Sequence, residues 1–202
     1  MSPDPTQFDR VFKLAICGSA KTGKKTLLQS FCTEGEGENI WTTLNVDDEK
    51  VLVEATVSVS WTHDMAQKFD AVAIVFATND LFSFEYSLEL LNEIQRKADL
   101  LPIVFIENKI DEVENTELDK KMVEDELKKK HKRLYRVAAI KEFNVMHPFA
   151  YLLEKLTRQK KDENANERKH SSPVDSIRMP SREGWGEATV IKAKKEQKCI
   201  LM

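Results

Sequence analysis

The chain has 202 residues, 41% of them hydrophobic, which suits one domain of ordinary size with its own core plus some extra length. Its 31 Lys and Arg nearly balance 34 Asp and Glu, so no global field draws nucleic acid and any electrostatic function is local. Three cysteines, Cys17, Cys32 and Cys199, without metal-ligand spacing speak against a disulfide framework and for a reducing compartment, with Cys17 and Cys32 as buried thiols. The polar stretch from Met1 to Arg10 has no apolar h-region and the run Ala71 to Ala77 is too short to span a bilayer, so neither secretion nor membrane crossing is expected.

In chain order, Phe12 to Cys17 is short, mostly apolar and closed by Gly18, which predicts a buried strand feeding a loop, with a helix following from about Lys24 to Cys32. Trp41 to Val46 and Lys50 to Ser60 read as the arms of a β-hairpin around Asp47-Asp48-Glu49, with Val51, Val53, Ala55, Val57 and Val59 alternating to one face. Ala71 to Ala77 and Pro102 to Glu107 are continuous apolar runs, as in strands covered on both faces of a parallel sheet. Between them Phe84, Leu88, Leu91 and Gln95 sit at helical spacing along Leu81 to Ala98. A charged amphipathic helix from Glu117 to Lys132, a strand from Leu134 to Ala139 and a helix from Pro148 to Arg158 complete an α/β three-layer domain. Gln159 to Lys198 is rich in Lys, Glu, Ser, Asn and Arg with almost no apolar periodicity, and reads as a flexible linker.

Gly18-Ser19-Ala20-Lys21-Thr22-Gly23-Lys24 fits the pattern G-x-x-x-x-G-K between a strand and a helix. There the backbone N–H groups and the helix N-terminus cradle phosphates, and Lys24 adds a positive charge. Asn108-Lys109-Ile110-Asp111 stands directly after the second apolar run. A carboxylate such as Asp111 accepts paired N–H groups, and Lys109 can lie over a planar ring.

With these two motifs the chain resembles the Ras-like small GTPases, which read guanine with Asn-Lys-x-Asp. Phe76-Ala77-Thr78-Asn79-Asp80 followed by Ser83-Phe84-Glu85 is similar to that family's passage after the second switch. The likeness covers roughly residues 10 to 158. It implies a P-loop G domain, a mainly parallel sheet flanked by helices, with GTP or GDP bound by residues Gly18 to Lys24, Lys25, Thr26, Asn108, Lys109 and Asp111. The family's base-supporting loop corresponds here to Ala139, Ile140 and Lys141.

The pattern also breaks. Where the family has a metal-binding Ser or Thr this chain has Lys25, with Thr26 one place late and expected to turn away, since a helix advances about 100° per residue. Where the family has Asp-x-x-Gly followed often by Gln, this chain has Val57-Ser58-Val59-Ser60-Trp61, and Asp64 and Gln67 stand at the wrong spacing. The first switch is acidic, Thr33 to Asn39, and Thr42 or Thr43 fits the next strand better than a γ-phosphate sensor. No metal ligand or catalytic residue is assigned, and dependence on Mg²⁺ is in doubt.

The last four residues, Cys199-Ile200-Leu201-Met202, satisfy C-a-a-X of the type usually farnesylated, and Lys192, Lys194, Lys195 and Lys198 precede them. One lipid chain gives only marginal attachment, and these lysines supply a second signal toward an anionic leaflet. The expected protein is a guanine-nucleotide-binding switch or recruiting factor on the cytoplasmic face of a membrane, lipid-anchored through Cys199, with weak or absent hydrolysis. Its expected partners are a prenyltransferase, an anionic membrane and protein effectors. The alternatives are a pseudo-GTPase scaffold with little nucleotide affinity and a slow GTPase in which Thr26 and Asp64 compensate.

Overall fold

The two continuous apolar runs lie side by side within a seven-stranded sheet, buried along their whole length. The computed structural model describes residues 3–32, 34–36, 39–46 and 48–170. Its strands are β1 (Arg10–Cys17), β2 (Glu34–Glu36), β3 (Asn39–Val46), β4 (Glu49–Ser58), β5 (Ala71–Ala77), β6 (Ile103–Asn108) and β7 (Arg133–Arg136). Their spatial order is β2-β3-β4-β1-β5-β6-β7, with β1, β4, β5, β6 and β7 parallel and the β2-β3-β4 end antiparallel.

Because successive strand side chains point to opposite faces, β1 feeds two cores. Phe12, Leu14 and Ile16 pack under α1 (Lys24–Phe31) and α5 (Met146–His170), where Phe31 and Phe149 stack at 3.9 Å. Ala15 and Cys17 face the other layer, made by α2 (His63–Lys68), α3 (Leu81–Lys97) and α4 (Lys120–Lys129), which bring Phe84, Leu91, Ile94, Val123 and Leu127. The expected three-layer α/β architecture is thus what the chain adopts. Burial pushes the Cys17 and Cys32 thiols up to about 12, so both stay protonated and inert at neutral pH.

Several boundaries differ from the sequence reading. The acidic segment after α1 contributes β2, an edge strand paired with β3, where Trp41 Nε1 donates to Glu34 at 3.0 Å. The β4 alternation stops early: Val51, Val53 and Ala55 are buried, but Val57 is half-buried and Val59 is exposed beyond the strand end. α2 went unnoticed because six residues are too few for a periodicity; buried Trp61 and Phe69 flank it. α4 starts only at Lys120, where the Asp119 side chain caps the N–H groups of Lys121 and Met122.

The expected strand Leu134 to Ala139 is shorter: β7 ends at Arg136 and Ala139–Lys141 forms a 3₁₀ turn. α5 extends past Arg158 to His170, into the segment read as linker. Lys, Glu, Arg and Ala there are good helix formers, and a helix already nucleated on the core needs no apolar stripe to continue. Residues 171–202, including Cys199 and the tail lysines, lie outside the described residues, as do Thr33, Gly37, Glu38 and Asp47. Among the described residues no helix is long and apolar enough to cross a membrane.

Candidate nucleotide-binding site

The C-terminal ends of the parallel strands gather both motifs at one edge of the sheet. Gly18 follows β1 so closely against β5 that a Cβ would overlap the Val75 carbonyl, which makes glycine the residue that fits. The loop closes with Gly23 at φ +84°, as the N-cap of α1, and a Cβ there would run into the Asn108 amide. Lys21 also takes a left-handed conformation, φ +61°.

Lys24 is 6% exposed and has no carboxylate partner among the described residues. Its ammonium donates to the Ser19 carbonyl and, at 3.5 Å, to Thr22 Oγ1. Burial lowers its pKa. A buried cation satisfied only by neutral acceptors is costly, and an anion arriving in the loop would remove that cost. The Ser19 hydroxyl is buried without a hydrogen-bond partner among the described residues.

On the base side, Lys109 follows β6 at φ +63°, and Ile110 N–H donates to the Val137 carbonyl at 3.3 Å. The Asp111 side chain is 15% exposed; its Oδ1 is buried without a partner among the described residues and its Oδ2 lies 3.7 Å from Lys141 Nζ. Ala139 is buried, whereas Ile140 and Lys141 project into solvent. An unpartnered carboxylate oxygen beside a cation is what two adjacent N–H donors of a guanine edge require.

Asn108 joins the two halves. Its Nδ2 donates to the Thr22 carbonyl at 2.9 Å and its Oδ1 accepts from the Ala139 N–H at 3.0 Å, so one buried amide braces the phosphate loop to the 139–141 turn. Ser30 Oγ of α1 adds a bond to the Ala139 carbonyl at 3.0 Å. Its motif position marks Asn108 as a ligand contact, whereas the brace spans 86 positions and leaves no signal in the sequence.

Sequence reasoning overlooked Glu107, which is buried, accepts from Thr78 Oγ1 at 3.0 Å and from Arg136 Nε at 2.9 Å, and leads directly into Asn108. Arg136 further pairs with Glu124, and its carbonyl accepts from Asn144 Nδ2 at 2.7 Å. The available signal was a lone carboxylate inside an otherwise apolar strand, a group that is rarely buried unless paired.

Beside the loop lies a cavity of about 310 Å³ bordered by Lys24, Lys25, Thr26, Val57 and Val59, together with the loop residues Ala20, Lys21 and Gly23. Thr26, expected to turn away, borders it together with Lys25 because the cavity opens along the first turn of the helix. Asp64 and Gln67 are exposed on α2 and do not border it. Thr42 is buried within β3. The residues fit the phosphates and base of a nucleotide. Thr26 is the residue on the cavity border with a side-chain oxygen, beside Lys25, Val57 and Val59, and among the described residues no group of three or more His, Cys, Asp or Glu forms a metal site.

A mainly parallel α/β sheet with a glycine-bounded phosphate loop after its first strand defines a P-loop nucleotide-binding domain. The Ras family model matches residues 56–158, a span that holds Asn108–Asp111 and Ala139–Lys141 and begins after the phosphate loop. The chain belongs to the Ras family, whose members are small GTP-binding switch proteins.

Proposed function

We propose that this chain is a membrane-tethered guanine-nucleotide switch or recruiting factor whose hydrolysis is weak or absent and whose nucleotide binding depends little on Mg²⁺. The observation that carries the reading is the buried, carboxylate-free Lys24 next to a cavity walled by Val57 and Val59. Bound nucleotide would supply phosphate charge to the loop and, as a triphosphate, the bond whose state a switch reports. Gly18 to Lys24 would hold the phosphates, with Lys25 adding charge at the cavity rim. Asp111 would accept from the base, Lys109 would lie along it, and Asn108 would keep the two loops in register. Val57 and Val59 wall the cavity without atoms that could hold a metal or orient a water, the two contributions on which fast phosphoryl transfer relies, and leave Thr26 as the hydroxyl on its border.

Purified protein should carry guanine nucleotide, measured by chromatography after denaturation. Chelation with EDTA should raise the dissociation rate of a fluorescent GDP by less than about threefold, a barrier change under ~1 kcal/mol. An increase of orders of magnitude would show that Thr26 reaches a metal and would favour the slow-GTPase reading. Protein that purifies empty and binds no added guanine nucleotide would favour the scaffold reading.

Tethering is proposed through Cys199, which lies outside the described residues. Cys199→Ser should leave the thermal melt unchanged and move the protein from the membrane to the soluble fraction, because a hydroxyl forms no thioether. Full membrane retention of the serine variant would leave the lipid anchor without support.

A further inference from the structure

The end of the domain opposite the nucleotide site carries Lys128-Lys129-Lys130-His131-Lys132-Arg133, a run from the last turn of α4 into β7. Lys129 and Lys130 are partly neutralised by Glu126, at 3.5 and 3.7 Å. Lys128, Lys132 and Arg133 have no carboxylate within ion-pair distance among the described residues. Arg133 lies over the Tyr151 ring at 4.5 Å, and with Lys128, His131 and Lys132 it borders an open groove of about 590 Å³. Lys155, one helical turn beyond Tyr151, is near enough to Lys132 to reinforce the lowering of its pKa by burial, while Asp99 acts in the opposite direction.

The topology places this patch. Arg133 begins β7 and pairs with Val104 near the start of β6, so it sits at the N-terminal ends of strands whose C-terminal ends hold the nucleotide loops. α5 starts beside the 139–141 turn and runs back along the sheet, since Lys160 lies 3.9 Å from Asp70 and over the Phe12 ring at 4.6 Å. Residues 171–202 therefore continue from a helix directed toward the patch end. At that same end Leu100, in the link between α3 and β6, is 88% exposed.

We infer that the face formed by Lys128, Lys132, Arg133 and Lys155, with Leu100 at its edge, docks directly on an anionic lipid surface and turns the nucleotide site away from it. The orientation rests on the tethering proposed above; the affinity of the face for lipid does not. Unpaired cations favour an anionic leaflet, and an exposed leucine adds apolar contact at the headgroup boundary. Screening limits the attraction to about 8 Å at physiological salt, so the face gains from it only in close contact with the leaflet.

The test uses the full chain carrying Cys199→Ser, so that no lipid contributes, and vesicles of phosphatidylcholine with or without about one third phosphatidylserine. The parent should co-sediment with the anionic vesicles only. Lys128→Gln/Lys132→Gln/Arg133→Gln should weaken that binding about tenfold or more, with unchanged melting and unchanged nucleotide content. Leu100→Ser should weaken it several-fold and leave the salt dependence as it was. The inference is overturned if the triple variant binds as tightly as its parent while neutralising the four tail lysines abolishes binding. It is also overturned if the parent ignores the anionic vesicles, whether or not it binds a short RNA duplex through these residues. An empty nucleotide site would defeat the guanine reading without touching either result.

Discussion

Replacing Asn108 with Ala should lower guanine-nucleotide affinity by about two orders of magnitude or more, although the side chain is only 1% exposed and fully engaged within the protein. The substitution removes both ends of the brace and leaves the Thr22 carbonyl and the Ala139 N–H without their partner. Each buried group left unsatisfied costs about 1–3 kcal/mol. Part of that cost falls on global stability, read by denaturant titration. The rest falls on the preorganisation of the two loops, read by calorimetry with GDP on the folded fraction. Gly23→Ala attacks the same brace from the other side, since its Cβ would displace the Asn108 amide at a backbone angle that favours glycine. The double variant should therefore be little worse than the worse single variant, the non-additivity expected of residues acting through one contact. Reduced stability with unchanged affinity would make Asn108 a core residue and nothing more.

The site was legible in the sequence to the extent that its chemistry is local. A phosphate loop needs glycines at fixed offsets between a strand and a helix, and Gly18 and Gly23 reveal in three dimensions why: one abuts the Val75 carbonyl and the other the Asn108 amide. The substitution of the Asp-x-x-Gly segment by Val57-Ser58-Val59 was equally readable and emerges as the apolar wall of the cavity. What could not be read was coupling across the fold. The bond from Asn108 to Thr22 spans 86 positions and that from Ser30 to Ala139 spans 109, and no spacing rule predicts either. Thr26 borders the cavity beside Lys25 although it stands one place late, because a helical wheel fixes direction without fixing how wide the adjoining space is. α2 and β2 were too short to show a period, and the extension of α5 shows that polar composition signals the absence of a core contact rather than the absence of a helix.

Asp111→Asn should invert the base preference of the site, weakening guanine nucleotides and strengthening xanthine nucleotides by a combined factor on the order of 10³–10⁴. The carboxylate offers acceptors only, and its Oδ1 is buried with no donor among the described residues to satisfy it. An amide in the same place puts an N–H against the N–H groups of guanine, but meets an acceptor where xanthine carries an oxygen. Loss of the pair with Lys141 contributes little, because Lys141 is largely solvated at 3.7 Å and a pair exposed on one side is worth under about 1 kcal/mol. Asp111→Ala separates the effects: it should lose guanine affinity without gaining xanthine affinity. Calorimetry with GDP and xanthosine diphosphate on the three proteins measures the inversion. If Asp111→Asn binds both nucleotides as the unmodified chain does, the carboxylate does not touch the base, and its unpartnered oxygen must be explained by Lys141 and the 139–141 turn alone.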